Sequence, residues 1–559
     1  MAELAADQAA ADKSAAEGAP ASMLTVVAAS SAGTTFEWYD FFIFGSLTGI
    51  ISKVFFAGLN DTAGLLAALA LFGVGFAFRP LGALVFGRIG DRVGRKGAFL
   101  VTVTLMGSST FAIGLLPSYH QAGMVGPILL ILLRVVQGFA LGGEYGGAVI
   151  YVAEHAKANQ RGWMTSWVQT SAAFGLFAAL LVILATRSLI GEAAFGDWGW
   201  RVPFMVSIGL LAVSVWMRVK LSESPAFTRL QAEDNQSKAP FTEAFGRWPN
   251  LKLVILTFLG MMSAQGAVWY TSFFYVQTFM EKFLKVDPAT INLLMMGAVA
   301  VSAPLYVFFG WLSDRIGRKI VMLAGMTLAL VAFFPGFHYL EQAANPALAA
   351  ASAATPVVVV ADPANCSLQF DPVGKASFVT SCDIAKSFLA NAGVSYGNQA
   401  APAGTPAVVK IGGATVASAS ASGLPKAQAK AVKAGVEAKL KAALKAAGYP
   451  AKADPARVNF WGMFAVLLVF TVGSTALFGP LAAYLVEIFP TRIRYTALSL
   501  PYNVGTGWIG GFLPFTAFAI VAATGDIYAG LWYAVGFTAL SVVVMLLFLR
   551  ETSGRPLED

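Results

Sequence analysis

A ten-residue stretch, GRIGDRVGRK from Gly87, returns as GWLSDRIGRK from Gly310, 223 residues later. Gly87, Asp91, Arg92, Gly94, Arg95 and Lys96 recur as Gly310, Asp314, Arg315, Gly317, Arg318 and Lys319. Each copy lies between two long apolar runs. A charged, glycine-punctuated segment that short has room only for a tight hairpin between two helices at a membrane surface. A second set keeps its internal spacing: Tyr151, Glu154 and Arg161 return as Tyr484, Glu487 and Arg494. Two copies of one arrangement in one chain predict a duplicated membrane protein, the layout in which transporters are built.

Composition agrees. Hydrophobic residues make up 57% of the 559 and charged ones 12%, a richness that a soluble fold does not carry. Apolar runs of about 20 residues suffice to cross a bilayer as helices, and helices satisfy their own backbone groups in lipid. Twelve such runs are present. The expected fold is all-α and integral to the membrane, with twelve transmembrane helices in two pseudo-symmetric six-helix halves. The first half covers 23–220 and the second covers 251–340 with 458–550, joined by a central loop over 221–250. Residues 1–22 and 551–559 read as tails, the first disordered.

Lys and Arg set the orientation. Loops on the side of the repeated motif carry 17 of them, against five on the short opposite loops. By the positive-inside bias this places the motif loops and both termini in the cytoplasm, in a multi-pass protein of the cell inner (plasma) membrane. The net charge of +8 is therefore a topology signal and not a nucleic-acid footprint.

The repeat exposes an insertion. The distance from Asp91 to Glu154 is 63 residues but that from Asp314 to Glu487 is 173. The excess fits the polar, Ala-rich stretch 341–457, on the extracytoplasmic side by helix count. Both cysteines, Cys366 and Cys382, fall inside it. An oxidising compartment permits a disulfide there, for which loop entropy suggests about 3 kcal/mol; two free thiols are the other reading. Lys426 to Ala447 should be helical, and Val357 to Val360 a short strand.

Chemistry is expected from charges inside the bilayer, which are costly in hydrocarbon and must face a cavity or a partner. Glu37 and Asp40 lie in the first helix, Arg79 in the second, and Arg134 and Glu144 in the fourth. Gln137 is nearly in line with Glu144. Carried into the second half by the repeat offset, these positions fall on Gly260, Ser263, Ser302, Leu467 and Leu477. The ionic machinery is thus expected in the first half alone, facing neutral groups such as Gln265, Trp269, Tyr270, Tyr502 and Asn503. Three acids against two arginines leave one acid without a full counter-charge. Asp40, Glu144 and Glu37 are therefore the candidates for proton coupling; a static ion-pair network is the alternative.

The segments EWYDFF, FRPLG, RVVQGFALGGE, GWRVPF, ESPAF, EIFPTRIR and PYNVGTGWIGG, with the two loop motifs, resemble the major facilitator superfamily and within it the metabolite:proton symporters. That group includes transporters similar to those for shikimate, α-ketoglutarate, citrate, and proline with betaine. The resemblance covers nearly all of the chain except the first tail and the insertion, which departs from the usual compact loop. It implies proton-coupled symport of a small metabolite by alternating access, with no cofactor and no metal. It also implies gating by Asp91, Arg92, Arg95, Glu154 and Arg161 and by Asp314, Arg315, Arg318, Glu487 and Arg494.

Arg79 and Arg134 could hold a carboxylate by paired hydrogen bonds, which favours an organic acid. A zwitterion of the proline or betaine type would add an aromatic cage from Trp38, Tyr39 or Trp269. A passive uniporter is disfavoured by the buried acids, and a substrate sensor by the short cytoplasmic segments. Catalysis is a poor alternative, since His120, His155 and His338 sit at predicted helix ends without metal-ligand spacing. The expected partners are the metabolite, the proton and the lipid bilayer, with no nucleic acid, for a monomer.

Overall fold

The structure is a computed structural model that describes residues 23–57, 61–219, 222–367 and 378–557. The tail expected over 1–22 lies outside the described residues. Among those residues, ten helices are long and apolar enough to cross a membrane. Two more complete twelve: span 1 is Met23–Ser46, continued by Thr48–Phe55, and span 2 is Asp61–Arg92. Spans 3 to 6 are Arg95–Leu115, Val125–His155, Ala158–Ile190 and Arg201–Val219. Spans 7 to 9 are Trp248–Phe283, Pro288–Ile316 and Arg318–Ala344. Spans 10 to 12 are Phe460–Ile488, Thr491–Val521 and Leu531–Phe548.

Both repeated loops turn at a glycine in the left-handed half of backbone space, Gly94 at φ 132° and Gly317 at φ 107°. A side chain would be strained there, which explains a glycine at the same place twice. Inside the first half, spans 2 and 4 touch backbone to backbone. A Cβ on Gly138 would run into the Gly75 carbonyl, and one on Gly142 into the Arg79 carbonyl. Small residues permit that approach, and it brings Arg79 beside the acid-bearing face of span 4.

In the second half, span 7 is interrupted by π turns at Phe258–Met262, Thr271–Tyr275 and Phe279–Phe283, and span 11 by one at Val504–Gly510. Such bulges re-aim side chains and recur at functional sites. Here they flank Gln265, Trp269 and Tyr270 and follow directly on Tyr502 and Asn503.

Between spans 9 and 10 the chain builds a small α/β unit. Its strands are β1 Val357–Ala361, β2 Tyr396–Ala400, β3 Val408–Ile411 and β4 Ala414–Ala417, in the sheet order β2-β1-β3-β4. β1 runs parallel to β2 and antiparallel to β3. Helices Ser381–Asn391 and Lys426–Ala446 accompany the sheet, and Cys366 is bonded to Cys382. The unit is docked on the second half. Tyr396 N–H donates to the Gly525 carbonyl at 2.7 Å, and Lys285 Nζ to the Asn391 carbonyl at 2.8 Å. Leu348, Val359 and Leu389 share one apolar core with Phe283 and Leu284 of the second half.

Candidate functional site

Span 1 sets Glu37 and Asp40 one turn apart on a buried face, 8% and 5% exposed. Arg79 links that face to the second half: its Nη2 lies 3.6 Å from Glu37 Oε1, and its Nε donates to Asn503 Oδ1 of span 11 at 3.2 Å. Asp40 is held through a relay. Thr110 Oγ1 donates to Asp40 Oδ2 at 2.7 Å, Gln137 Nε2 donates to Thr110 at 2.7 Å, and Arg134 Nη1 donates to Gln137 Oε1 at 2.9 Å. The Arg134 guanidinium also stands 4.0 Å from the Phe44 ring centroid, a cation–π contact. One oxygen of each span 1 acid, Glu37 Oε2 and Asp40 Oδ1, has no hydrogen-bond partner.

The expected imbalance of three acids against two arginines is corrected by Arg218. In sequence it reads as a basic residue at the loop end of span 6. In the structure it is 1% exposed and its Nη2 donates to Glu144 Oε1 at 2.7 Å. Thr102 Oγ1 donates to the other Glu144 oxygen at 2.9 Å, and the Phe99 ring centroid lies 3.4 Å from the guanidinium carbon. Gly33 of span 1 makes the space, because a Cβ there would overlap the Arg218 guanidinium. The buried charges thus balance, and Glu144 has a dedicated counter-ion.

The groups facing this cluster across the interface are neutral and largely aromatic. Trp38 and Trp269 rings lie 5.5 Å apart, Phe76 and Tyr270 6.3 Å, and Phe41 and Phe274 6.2 Å. Trp269 Nε1 donates to the Tyr306 hydroxyl at 2.9 Å. Asn503 Nδ2 donates to the Gly142 carbonyl at 2.9 Å. Gln265, 2% exposed, keeps an unpartnered Oε1. Tyr39 is not part of this group. Its hydroxyl donates to the Pro203 carbonyl at 2.8 Å within the first half's own core, because one residue along a helix is a rotation of about 100° away from Trp38.

On the face of the repeated loops the two copies make matching links, each to the opposite half. Asp91 accepts from the backbone N–H groups of Tyr495 and Thr496 at 3.2 and 2.8 Å, at the start of span 11. Asp314 accepts from those of Gly162 and Trp163 at 3.0 and 2.7 Å, at the start of span 5. A carboxylate at a helix N-terminus meets unpaired N–H groups and a favourable dipole. Arg95 lies 3.1 Å from Asp91 and 3.8 Å from Glu154, and Glu154 accepts from Arg494 at 2.7 Å. Arg318 contacts Asp314 at 2.6 Å and Glu487 at 3.1 Å, while Arg161 lies 3.6 Å from Glu487. Arg92 and Arg315 fall outside this network. Both are exposed, and Arg315 packs over the Trp311 ring.

A third repeated element escapes sequence inspection. Glu223 caps the start of span 3 at the N–H groups of Arg95 and Lys96, and Glu551 does the same for Arg318 and Lys319 of span 9. The hydroxyl following each donates to a repeated acid: Ser224 to Glu154 at 2.5 Å and Thr552 to Glu487 at 2.7 Å. Its only sequence signal is a Glu-Ser and a Glu-Thr dipeptide, too short to register as a repeat. These links tie the two halves together on this face.

The sequence profile described as "Sugar (and other) transporter" matches residues 25–246 and 443–559, and that of the "Major Facilitator Superfamily" matches 257–364. The chain belongs to this superfamily. The unmatched stretch 365–442 lies within the α/β insertion. The chain is 36% identical over 321 residues to the proline/betaine transporter of Escherichia coli strain K12, covering 56% of this chain and 63% of that protein. It is 33% identical over 314 residues to the citrate-proton symporter of Klebsiella pneumoniae, covering 56% of this chain and 69% of that one. The matched stretch thus spans somewhat under two thirds of the first of these relatives. The proton:xylose symporter XylE, bound to 6-bromo-6-deoxy-D-glucose, superposes with a TM-score of 0.63 at 15% identity, covering 96% of this chain and 98% of that one. The last comparison shows the twelve-helix major facilitator fold. The relatives matched are thus a proline/betaine transporter and a citrate-proton symporter.

Proposed function

We propose that the chain is a secondary active transporter that couples proton movement to uptake of a small organic acid by alternating access. Arg79 carries this reading. A single guanidinium lies beside Glu37 at 3.6 Å and also bonds Asn503 of the other half at 3.2 Å. Rocking of the halves must break the second contact, and that frees Arg79 for a substrate carboxylate or for Glu37. Protonation and substrate occupancy then compete for the same cation, which is what coupling requires. Asp40, Glu37 and Glu144 are the proton-carrying groups; Arg79, Arg134 and Gln137 hold the anion, with Gln265, Tyr502 and Asn503 opposite. The repeated loops face the cytoplasm, as do both termini, and Asp91 and Asp314 with Arg95, Arg318, Glu154, Glu487, Arg161 and Arg494 form the inner gate.

A second reading, uptake of a zwitterion, is favoured by one observation. Trp38, Trp269 and Tyr270 converge at the interface with Phe41, Phe76 and Phe274 around them, and such a surface suits a quaternary ammonium. Thermal-shift screening of the purified protein against organic acids and against betaines separates the two, since a ligand of the folded state raises its stability. In proteoliposomes, an inward proton gradient should drive accumulation that an ionophore abolishes. Asp40→Asn and Glu144→Gln should lose accumulation more than counterflow. Uptake by the unaltered protein that only equilibrates would overturn symport.

A further inference from the structure

We propose that the proton travels inside the first half, through a cavity of its own, and that Arg218 controls its exit. The inference rests on the symport reading above and goes beyond it by separating the two routes. Glu37, Asp40 and Glu144 all line one cavity, walled otherwise by apolar groups such as Met106 and Leu211, with every lining residue from spans 1, 3, 4 and 6. Arg79, Arg134 and Gln137 line a different one, between spans 1, 2, 3 and 4. The three acids therefore share a space that excludes the two arginines suited to an anion. Two oxygens of its buried acids, Glu37 Oε2 and Asp40 Oδ1, have no hydrogen-bond partner. Acceptors left bare in a dry interior are costly unless they take a proton or water.

Chain direction orders the acids. Span 1 leaves the loop-motif face at Met23, so Glu37 lies nearer that face than Asp40. Span 4 approaches the same face, with Glu144 ten residues beyond Arg134, and Arg218 occupies the last turn of span 6. A proton bound by Asp40 passes to Glu37 and then to Glu144. Its arrival neutralises Glu144 and releases the 2.7 Å pair with Arg218. The proton leaves to the loop-motif side, the carboxylate re-forms, and Arg218 recaptures it. One proton enters and one leaves, and Arg218 stays charged throughout. The other charged or titratable groups facing this track include Arg79 from span 2, Arg134 from span 4 through Gln137 and Thr110, and the Tyr145, Tyr495 and Tyr502 hydroxyls. Span 3 contributes only the Thr102 and Thr110 hydroxyls.

Arg218 is thus a positioning residue whose loss should let protons slip. The full chain is reconstituted in vesicles loaded with the pH dye pyranine, and proton entry under an imposed pH gradient is followed with no substrate present. Arg218→Gln should raise the leak about tenfold, because nothing recaptures Glu144, and Arg218→Lys should restore most of the seal. Arg218→Gln combined with Glu144→Gln removes both buried charges and should return the leak to that of the unaltered protein, which also guards against a single variant that fails to fold. A tight Arg218→Gln vesicle, or a leak that survives in the double variant, overturns the route. Gradient-driven accumulation by the unaltered protein is read separately, so loss of that alone removes symport, and a failed leak pattern alone removes the route.

Discussion

Tyr145 and Tyr502 lie ring over ring, centroids 3.8 Å apart and planes 3° from parallel, one contributed by each half. Gln169 Nε2 fixes the first ring by donating to its hydroxyl at 2.7 Å, and Tyr502 sits two residues before the π turn of span 11. The stack bridges the two halves between span 4 and span 11. It has to part when the halves rock. An aromatic pair contributes about 1 kcal/mol beyond its buried area, so Tyr502→Ala should bias the chain about fivefold toward opening. The reporter is Ser499→Cys, buried against Gly146 in the closed form. Since Cys366 and Cys382 are already bonded, the added thiol is the one that labels, and an unchanged labelling rate would show that the stack is not a latch.

Arg134 reaches Asp40 through Gln137 and Thr110. Arg134→Lys keeps the charge but removes the planar donor pair. It should weaken ligand-induced thermal stabilisation about tenfold while the protein remains folded. Normal ligand response in Arg134→Gln would remove Arg134 from the anion site.

Asp91 and Asp314 each hold two backbone N–H groups of the other half. Charge-assisted hydrogen bonds of this kind contribute about 1.5–3 kcal/mol. Asp91→Asn and Asp314→Asn should each increase labelling from the loop-motif face, and the double variant should show nearly the sum, because the two links share no partner. Labelling that saturates in either single variant would mean one link governs the gate.

The repeats made the fold legible. Spacing between Asp91 and Asp314 delivered the duplication, and the shifted spacing to Glu154 and Glu487 delivered the insertion. Buried charge was legible where it stood deep in an apolar run, as at Glu37, Asp40, Arg79, Arg134 and Glu144. It was not legible at Arg218, because a basic residue in the last turn of a span has the same sequence signature whether it faces headgroups or folds inward. Only the bare backbone at Gly33, 185 residues earlier, distinguishes the cases. Tyr39 failed for the converse reason. Its neighbours Trp38 and Asp40 meet Trp269 of the other half and Thr110 of span 3, and adjacency in sequence does not survive the turn of a helix.

Deleting 346–456 with a short Gly/Ser bridge should leave transport measurable, since the first half closes the equivalent connection in a few residues. Asn345 is best retained, because its Nδ2 donates to the Leu284 carbonyl at 3.1 Å. The cost should appear as lowered thermal stability, because Phe283 and Leu284, both 0% exposed, lose their cover. Cys366→Ser in the full chain should destabilise the insertion by about 3 kcal/mol, the loop-entropy value for a closure of this length, read as earlier proteolysis between Pro346 and Arg457. Thiol labelling of the unaltered protein without reductant would contradict the bond.

The insertion also has a history in synthesis. It emerges after nine spans and before the last three, and both cysteines and all four strands lie within it, so its sheet and crosslink can form while spans 10 to 12 do not yet exist. Two of its docking partners, Leu284 and Lys285, are by then already made, whereas Gly525 and Ile527 are not. In chain order the unit comes first, and the turn between spans 11 and 12 meets it at Tyr396 and Ser395. A surface encoded ahead of the spans that dock on it can meet them as they are made, an order of assembly that the directly joined spans 3 and 4 do not need.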